Sequence, residues 1–309
     1  GLHITQRIQD SRLDYDRLQY WFGDFNLQQL LSLKKRLQEE EEPAISRFFL
    51  CALSHILKNC SYWLTTSTKP QKDHDKIPES PIDAFLTHAS RMMRRNSVFF
   101  NEVENLAPCE PLSVMRKADA RCLPLPNNCM DLIVTSPPYS TSYEYPDIHQ
   151  LTALLFGFCT SLSDFRKGFI GSKTGNHHRD AQLENLRALK ATRALTSIDA
   201  RLGKAVQSYF LDMKQVYREM YRVLRPGRRI CIVIGDTELR GVTIPNADVA
   251  VEQMCEAGFI PEKTIERSVP SRVLAPYRDR NDGRFTSPEN AAAKKVYSHE
   301  YILVLRKNS

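Results

Sequence analysis

Ser136-Pro137-Pro138-Tyr139 brings together four residues that suit one kind of chemistry. Consecutive prolines stiffen the backbone and remove two amide donors. The carbonyls of such a turn point outward and can accept hydrogen bonds. A serine hydroxyl precedes them and a flat aromatic ring follows. Acceptors can hold the hydrogens of an exocyclic amine, while the ring stacks on the planar base that carries it. The plainer alternative is a diproline turn at a strand end, because Pro-Pro marks loops in general.

The segment before the motif, Asp131 to Thr135, is a short apolar strand. From about residue 108 strands and helices alternate. Ser113 to Arg116 is a strand candidate and Ile148 to Phe158 an apolar helix. Phe210, Met213, Val216, Tyr217, Met220, Val223 and Leu224 recur at helical spacing. Arg229 to Ile234 reads as a buried strand, and Ala247 to Ala257 as a helix stopped by Gly258. Ile260 to Ser268 and Glu300 to Arg306 complete the pattern as strands. Such alternation predicts an α/β sheet with helices on its faces.

Residues 1–105 read differently, as a mostly helical region. Leu27, Leu30, Leu31 and Leu33 recur at helical spacing. Pro43 opens a helix with Ile45, Phe48, Phe49, Ala52, Leu53, Ile56 and Leu57 on one broad face. Thr65 to Pro81 is a polar loop. Ile82 to Arg95 is a further helix with Arg91, Arg94 and Arg95 at its end, either a cationic helix terminus or a set of phosphate contacts. The expected division is therefore a helical region, 1–105, and a catalytic domain, 106–309.

The bulk properties exclude several classes. A net charge of +7 permits a polyanionic partner without demanding one. None of the eight cysteines forms a C-x-x-C pair, and most lie in or beside apolar runs, so neither a zinc site nor a disulfide framework is expected. His177 and His178 lack a third ligand at metal spacing. No apolar run reaches membrane-spanning length and no signal peptide is visible, so a cytoplasmic, nucleoid-associated location is expected.

Thr135-Ser-Pro-Pro-Tyr139 resembles the catalytic motif of amino-methyltransferases, enzymes that methylate exocyclic nitrogens of DNA bases with S-adenosylmethionine. The serine form is commonest among N4-cytosine members. Lys117-Ala-Asp119 through Pro126 looks like the family's acidic strand end. Tyr143-Glu-Tyr145 through Leu151 resembles the helix after the catalytic loop. Glu219 through Gly227 is similar to the family's helix-to-strand turn and leads into Arg229 to Asp236. The resemblance covers roughly residues 110 to 307. It implies a Rossmann-like class I methyltransferase sheet.

The family's cofactor loop, an aromatic-x-Gly-x-Gly segment after the first strand, is missing. The chain has 12 glycines and no Gly-x-Gly. Glycine there lets the backbone approach the ligand. In single-chain relatives that loop and the first two strands precede a helical insertion, and this chain begins as though inside that insertion. The expected sheet is therefore incomplete, lacking the Gly-loop strand. A second polypeptide carrying that loop is expected, making a split heterodimer. A fragment of a longer enzyme, or a first strand too diverged to recognise, are the alternatives.

The resemblance implies roles residue by residue. Ser136, Pro137, Pro138 and Tyr139 form the catalytic loop. Asp119 with Ala120, and Thr135 with Ser136, lie on the cofactor side. A turn residue is the alternative for Asp119. The substrate is double-stranded DNA with its target base flipped out. Tyr143 and Tyr145 could line the base pocket or pack in the core. Lys173, Arg272 and Arg278 lie in polar loops that could contact phosphates or simply face solvent. The expected activity is methyl transfer to cytosine N4 in restriction-modification or DNA marking. Adenine N6, an RNA base amine, and a degenerate, non-catalytic DNA-binding subunit are the alternatives.

Overall fold

The computed structural model describes residues 13–67, 69–103, 115–140, 145–171, 182–268, 277–280, 286–295 and 299–309. Contacts divide the chain into two units, residues 1–115 with 144–166, and residues 116–143 with 167–309.

The first unit is helical: α1 (Tyr15–Gln38), α2 (Pro43–Ile56), α3 (Pro81–Val103), α4 (Tyr145–Ile148), α5 (Gln150–Leu155) and, at its boundary, α6 (Leu162–Lys167). Asp14 caps α1 by accepting from the Arg17 amide at 3.0 Å. Pro43 begins α2, where its missing amide costs nothing. The leucine spacing reappears as burial: Leu27, Leu30 and Leu31 join Leu18, Leu53 and Leu57 in one core. Trp21 stacks on Trp63 with ring centroids 5.1 Å apart.

Periodicity predicts one apolar helix over Ile148–Phe158. The chain instead forms the two short helices α4 and α5. Gln150 is fully buried, and its Oε1 accepts from Trp21 Nε1 at 3.3 Å and from Arg17 Nη2 at 3.2 Å. Leu151, Leu154 and Leu155 are buried in the same core. Residues 144–166 therefore belong with the helices, beyond a single cut at residue 105, because their burial partners lie more than a hundred positions earlier in the chain.

The second unit is α/β. Its strands are β1 (Met130–Thr135), β2 (Leu224–Ile234), β3 (Thr237–Leu239), β4 (Val242–Ile244), β5 (Phe259–Ser268), β6 (Tyr277–Asp279), β7 (Ala293–Lys295) and β8 (His299–Lys307); its helices are α7 (Leu186–Thr196), α8 (Ala200–Val223) and α9 (Asn246–Glu256). The main sheet runs β1-β2-β8-β5. β1 and β2 are parallel; β8 is antiparallel to both its neighbours. Ser113 and Val114 of the expected early strand lie outside the described residues, and Met115 and Arg116 are irregular.

One face of the sheet is packed. Ile230, Ile232 and Ile234 of β2 and Leu303 and Leu305 of β8 bury against Phe210, Met213, Tyr217 and Met220 of α8 and Val249, Ala250 and Met254 of α9. The alternate residues belong to the other face. Cys231 pairs there with both Val134 and Val304, and Val233 with Ile302. None of these joins the buried core. β1 has β2 as its one strand neighbour among the described residues, and its Leu132 and Val134 are 57% and 67% exposed. Parallel strands are ordinarily covered on both faces; among the described residues this face of β1 is uncovered.

Near the end of β8, Lys307 is buried and donates to Asn128 Oδ1 and to the carbonyls of Tyr221 and Leu224 at 2.6–2.8 Å. Burial pushes its pKa down. Gly258 follows α9 with φ +106°, and a Cβ there would lie 2.9 Å from Tyr221 Cζ. Gly258→Ala combines backbone strain with that clash and is expected to cost more than about 1 kcal/mol. Denaturant unfolding of the variant checks this; an unchanged midpoint contradicts it.

Candidate active site

The motif sits where two parallel strands end. Thr135 of β1 pairs with Ile232 of β2, so residues 136–140 and 235–237 emerge side by side from the C-terminal edge of the sheet. Loops at that edge are where open α/β sheets place ligands. Ser136 is exposed, Pro137 buried, and Pro138 and Tyr139 half-buried.

Polar contacts hold the two loops together. Ser140 is fully buried, and its Oγ lies 3.1 Å from Thr237 Oγ1. Asn246, at the start of α9, donates from Nδ2 to the Gly235 carbonyl at 3.0 Å and to Thr237 Oγ1 at 3.4 Å. Tyr139 lies against Gly235, where an added Cβ would come within 3.3 Å of ring atom Cε2. Its hydroxyl donates to Glu300 Oε2 at 3.4 Å. Glu300, in β8, is also ion-paired with Arg267 of β5.

The arrangement presents an exposed hydroxyl, a rigid diproline and a ring of settled position at one sheet edge. A planar group could meet the ring while an amine meets the hydroxyl. Cysteine nucleophiles are not needed for this, and burial pushes the thiols of Cys60, Cys159 and Cys255 up, away from the reactive thiolate.

Asp119 opens a small turn bridged to Cys122. Its carboxylate accepts from the Arg121 amide at 2.9 Å and from Arg121 Nε at 3.0 Å. Arg121 reaches on to Asp212 Oδ1 at 2.8 Å, and Asp212 Oδ2 accepts from the Gly171 amide at 2.8 Å. Hydrogen bonding to Asp119 is the leading reason the Arg121 pKa is pushed up. Asp119 therefore carries a turn-building role, while its side chain stays half exposed. Ala120 packs against the core and Thr135 is half-buried.

The remaining candidates are dispersed. Tyr145 opens α4 in the helical unit. Tyr143, Lys173, Arg272, His177 and His178 lie outside the described residues, as does the side chain of Arg278, whose backbone pairs with Lys294 between β6 and β7. A cavity of about 320 Å³ in the helical unit is lined by His55, Asn59, Glu79, Asp83, His88 and Arg91, and by none of the motif residues. Burial, with neighbouring His55, Arg91 and Arg95, pushes the His88 pKa down. Among the described residues no group of three or more His, Cys, Asp or Glu could hold a metal ion, and no helix is long and apolar enough to cross a membrane.

Gly235, Thr237, Asn246, Arg267 and Glu300 escape sequence reasoning. Gly235, Thr237 and Glu300 meet the motif loop from about 95 to 160 positions away, and Arg267 and Asn246 act through them; none has a distinctive local pattern. Gly235-Asp236 at a strand end was the one available signal, and by itself it marks a turn.

A family profile described as DNA methylase, N6_N4_Mtase, matches residues 130–309. Type II methyltransferase M.MvaI of Kocuria varians is 23% identical over an alignment of 261 residues that covers 78% of this chain and 57% of that protein. The chain thus spans little more than half the length of that relative. Among solved structures, TTHA0409, a putative DNA modification methylase from Thermus thermophilus, is 20% identical with a TM-score of 0.32, over 62% of this chain and 52% of that one. Its complex with S-adenosyl-L-methionine is 19% identical with a TM-score of 0.31, over 62% and 51%.

Asp236, beside the motif loop, offers a pH test. Burial pushes its carboxyl above the ordinary aspartate value, Asp248 adds to the rise, and bonds from the Ala247 and Asn246 amides oppose it. The native state then holds this proton more tightly than the unfolded chain. Stability falls as pH rises from the ordinary aspartate pKa through the raised one. Asp236→Asn keeps an acceptor for Ala247 and removes the buried charge. It should raise Tm at neutral pH and lose that advantage below about pH 4. A gain that grows on acidification contradicts this.

Proposed function

The chain belongs to the DNA methylase family, and from that premise we propose that it methylates an exocyclic base amine in DNA, cytosine N4, with S-adenosylmethionine as donor. The observation that carries the reading is the placement of Ser136-Pro137-Pro138-Tyr139 at the C-terminal edge of parallel β1 and β2, with Ser136 exposed and Tyr139 bedded on Gly235. The serine form of the motif supports cytosine over adenine. Restriction-modification or DNA marking is the setting such an activity would serve.

The donor supplies an electrophilic methyl group when bound. This chain's residues act on the acceptor. The amine of cytosine is a weak nucleophile because its lone pair is delocalised into the ring. Ser136 Oγ and the Pro137 carbonyl accept hydrogen bonds from its N–H groups and favour a pyramidal nitrogen, which gives up one proton to solvent once it carries the methyl group. Tyr139 stacks on the base and offsets part of the few kcal/mol, roughly, that leaving the duplex costs. The rest is alignment, which can lower a barrier by about 7–11 kcal/mol.

The described residues fit the base side of the reaction better than the donor side. No Gly-x-Gly turn exists in the sequence, Asp119 is shared with Arg121, and the outer edge of β1 lacks a strand among the described residues. β1 has no neighbour on its outer edge among the described residues, and a parallel strand laid there would extend the uncovered face that shows Leu132 and Val134. In our reading a separate polypeptide supplies this strand with the glycine loop, making a split heterodimer. Arg91, Arg94 and Arg95, exposed on one side of α3, are assigned to phosphate contacts, as are Lys173, Arg272 and Arg278.

Methyl transfer to duplex DNA should require this chain together with a polypeptide bearing the glycine loop, and nucleoside mass spectrometry should show N4-methylcytosine. Robust transfer by this chain alone would refute the split enzyme, and N6-methyladenine would refute the base assignment. Ser136→Ala and Tyr139→Ala should each lower turnover about 10²-fold with circular dichroism unchanged. Wild-type turnover removes either residue from the site.

A further inference from the structure

We propose that Glu300, oriented by Arg267, together with Gly235, positions the Tyr139 ring to receive the base. The inference rests on the reading of residues 136–139 as the amine-methylating loop. A tyrosine on a loop has rotamers to choose among, and only one orientation offers a clean face to an incoming base. Two contacts restrict that choice here.

The first is a bed. Gly235 has no Cβ, and one placed there would lie 3.3 Å from Tyr139 Cε2 and 3.7 Å from Cζ. Its φ lies outside the left-handed region, so the backbone makes no demand for glycine. The demand is steric: the ring rests where a side chain would otherwise begin.

The second is a tether. Glu300 stands directly across from Arg267 in the β5–β8 register, on two hydrogen-bonded strands. Its carboxylate divides its oxygens between two partners. Oε1 accepts from Arg267 Nε at 2.8 Å, and Oε2 accepts from the Tyr139 hydroxyl at 3.4 Å. Arg267 balances the charge of Glu300 and turns the second oxygen toward the phenol. Bed and tether act on different parts of the side chain, Gly235 on ring carbons Cε2 and Cζ and Glu300 on the hydroxyl. Glu300 and Arg267 are thus positioning residues, acting on the base through Tyr139.

Two measurements test this. In the full chain without DNA, ring-¹³C tyrosine NMR, with Tyr139 assigned by Tyr139→Phe, should show the Tyr139 signals moving in Glu300→Ala and less in Glu300→Gln. Arg267→Ala, which alters a mostly exposed side chain, provides a variant with little risk to folding and should move the same signals. Unmoved Tyr139 signals in both Glu300→Ala and Arg267→Ala overturn the proposal. In the transfer assay, Glu300→Ala should lower the single-turnover rate about tenfold, short of the 10²-fold that an ångström of misplacement can cost. KM for DNA should change less than about twofold. In a Tyr139→Phe background the Glu300→Ala effect should vanish, as expected when one residue acts through another. An equal fall in both backgrounds overturns the positioning role. Unchanged transfer by Tyr139→Ala defeats the base-stacking reading instead, and the NMR result separates the two failures.

Discussion

Two parallel strands that end together must release their loops together, and in this molecule the released loops are locked by buried polar atoms. Ser140, Thr237 and Asn246 are almost wholly removed from solvent. Their hydroxyl and amide groups lose water on folding and must find partners within the protein. The two hydroxyls and the Asn246 Nδ2 find one another and the Gly235 carbonyl, while Asn246 Oδ1 stays buried with no partner among the described residues. That requirement, more than the stiffness of the prolines, holds the end of the 136–140 loop. Tyr139 in that loop lies against Gly235, which has no side chain.

The sheet that carries these loops is asymmetric. One face is filled by α8 and α9 with large apolar side chains. The other shows Val134, Cys231, Val233, Ile302 and Val304 in register but outside the buried core. The edge at β1 exposes leucine and valine where a parallel sheet ordinarily continues. A DNA methylase has to hold a base and a methyl donor within bonding distance of each other. The described residues build a loop suited to the base and leave the adjoining sheet edge open. Loop and open edge adjoin because both belong to β1.

Local signals in the sequence carried well into the structure. Pro43 starts a helix, Gly258 ends one, and the 3.6-residue spacing from Phe210 to Val223 becomes the buried face of α8. Each depends on chemistry within a few residues: a missing amide, a tolerated positive φ, a repeating apolar face. Signals that depended on distant partners did not carry. Ile148–Phe158 has helical periodicity, yet the helix there runs only from Gln150 to Leu155, and the buried Gln150 is satisfied by Trp21 and Arg17 near the start of the chain. Asp119, read as a strand-end acid or a turn residue, holds Arg121 two residues on, and Arg121 reaches to Asp212 far along the chain.

The amino-acid sequence by itself determined the diproline loop, the alternation of strands and helices around it, and the want of a glycine turn, because each of these is written in contiguous residues. Tertiary structure alone decided which groups surround that loop. Glu300, Gly235 and Thr237 reach it, with Arg267 and Asn246 holding them, through strand register and helix packing, and a register shift of one residue would turn Glu300 to the opposite face of the sheet. A contact of that kind is a property of how strands are paired, and no short stretch of the chain contains it.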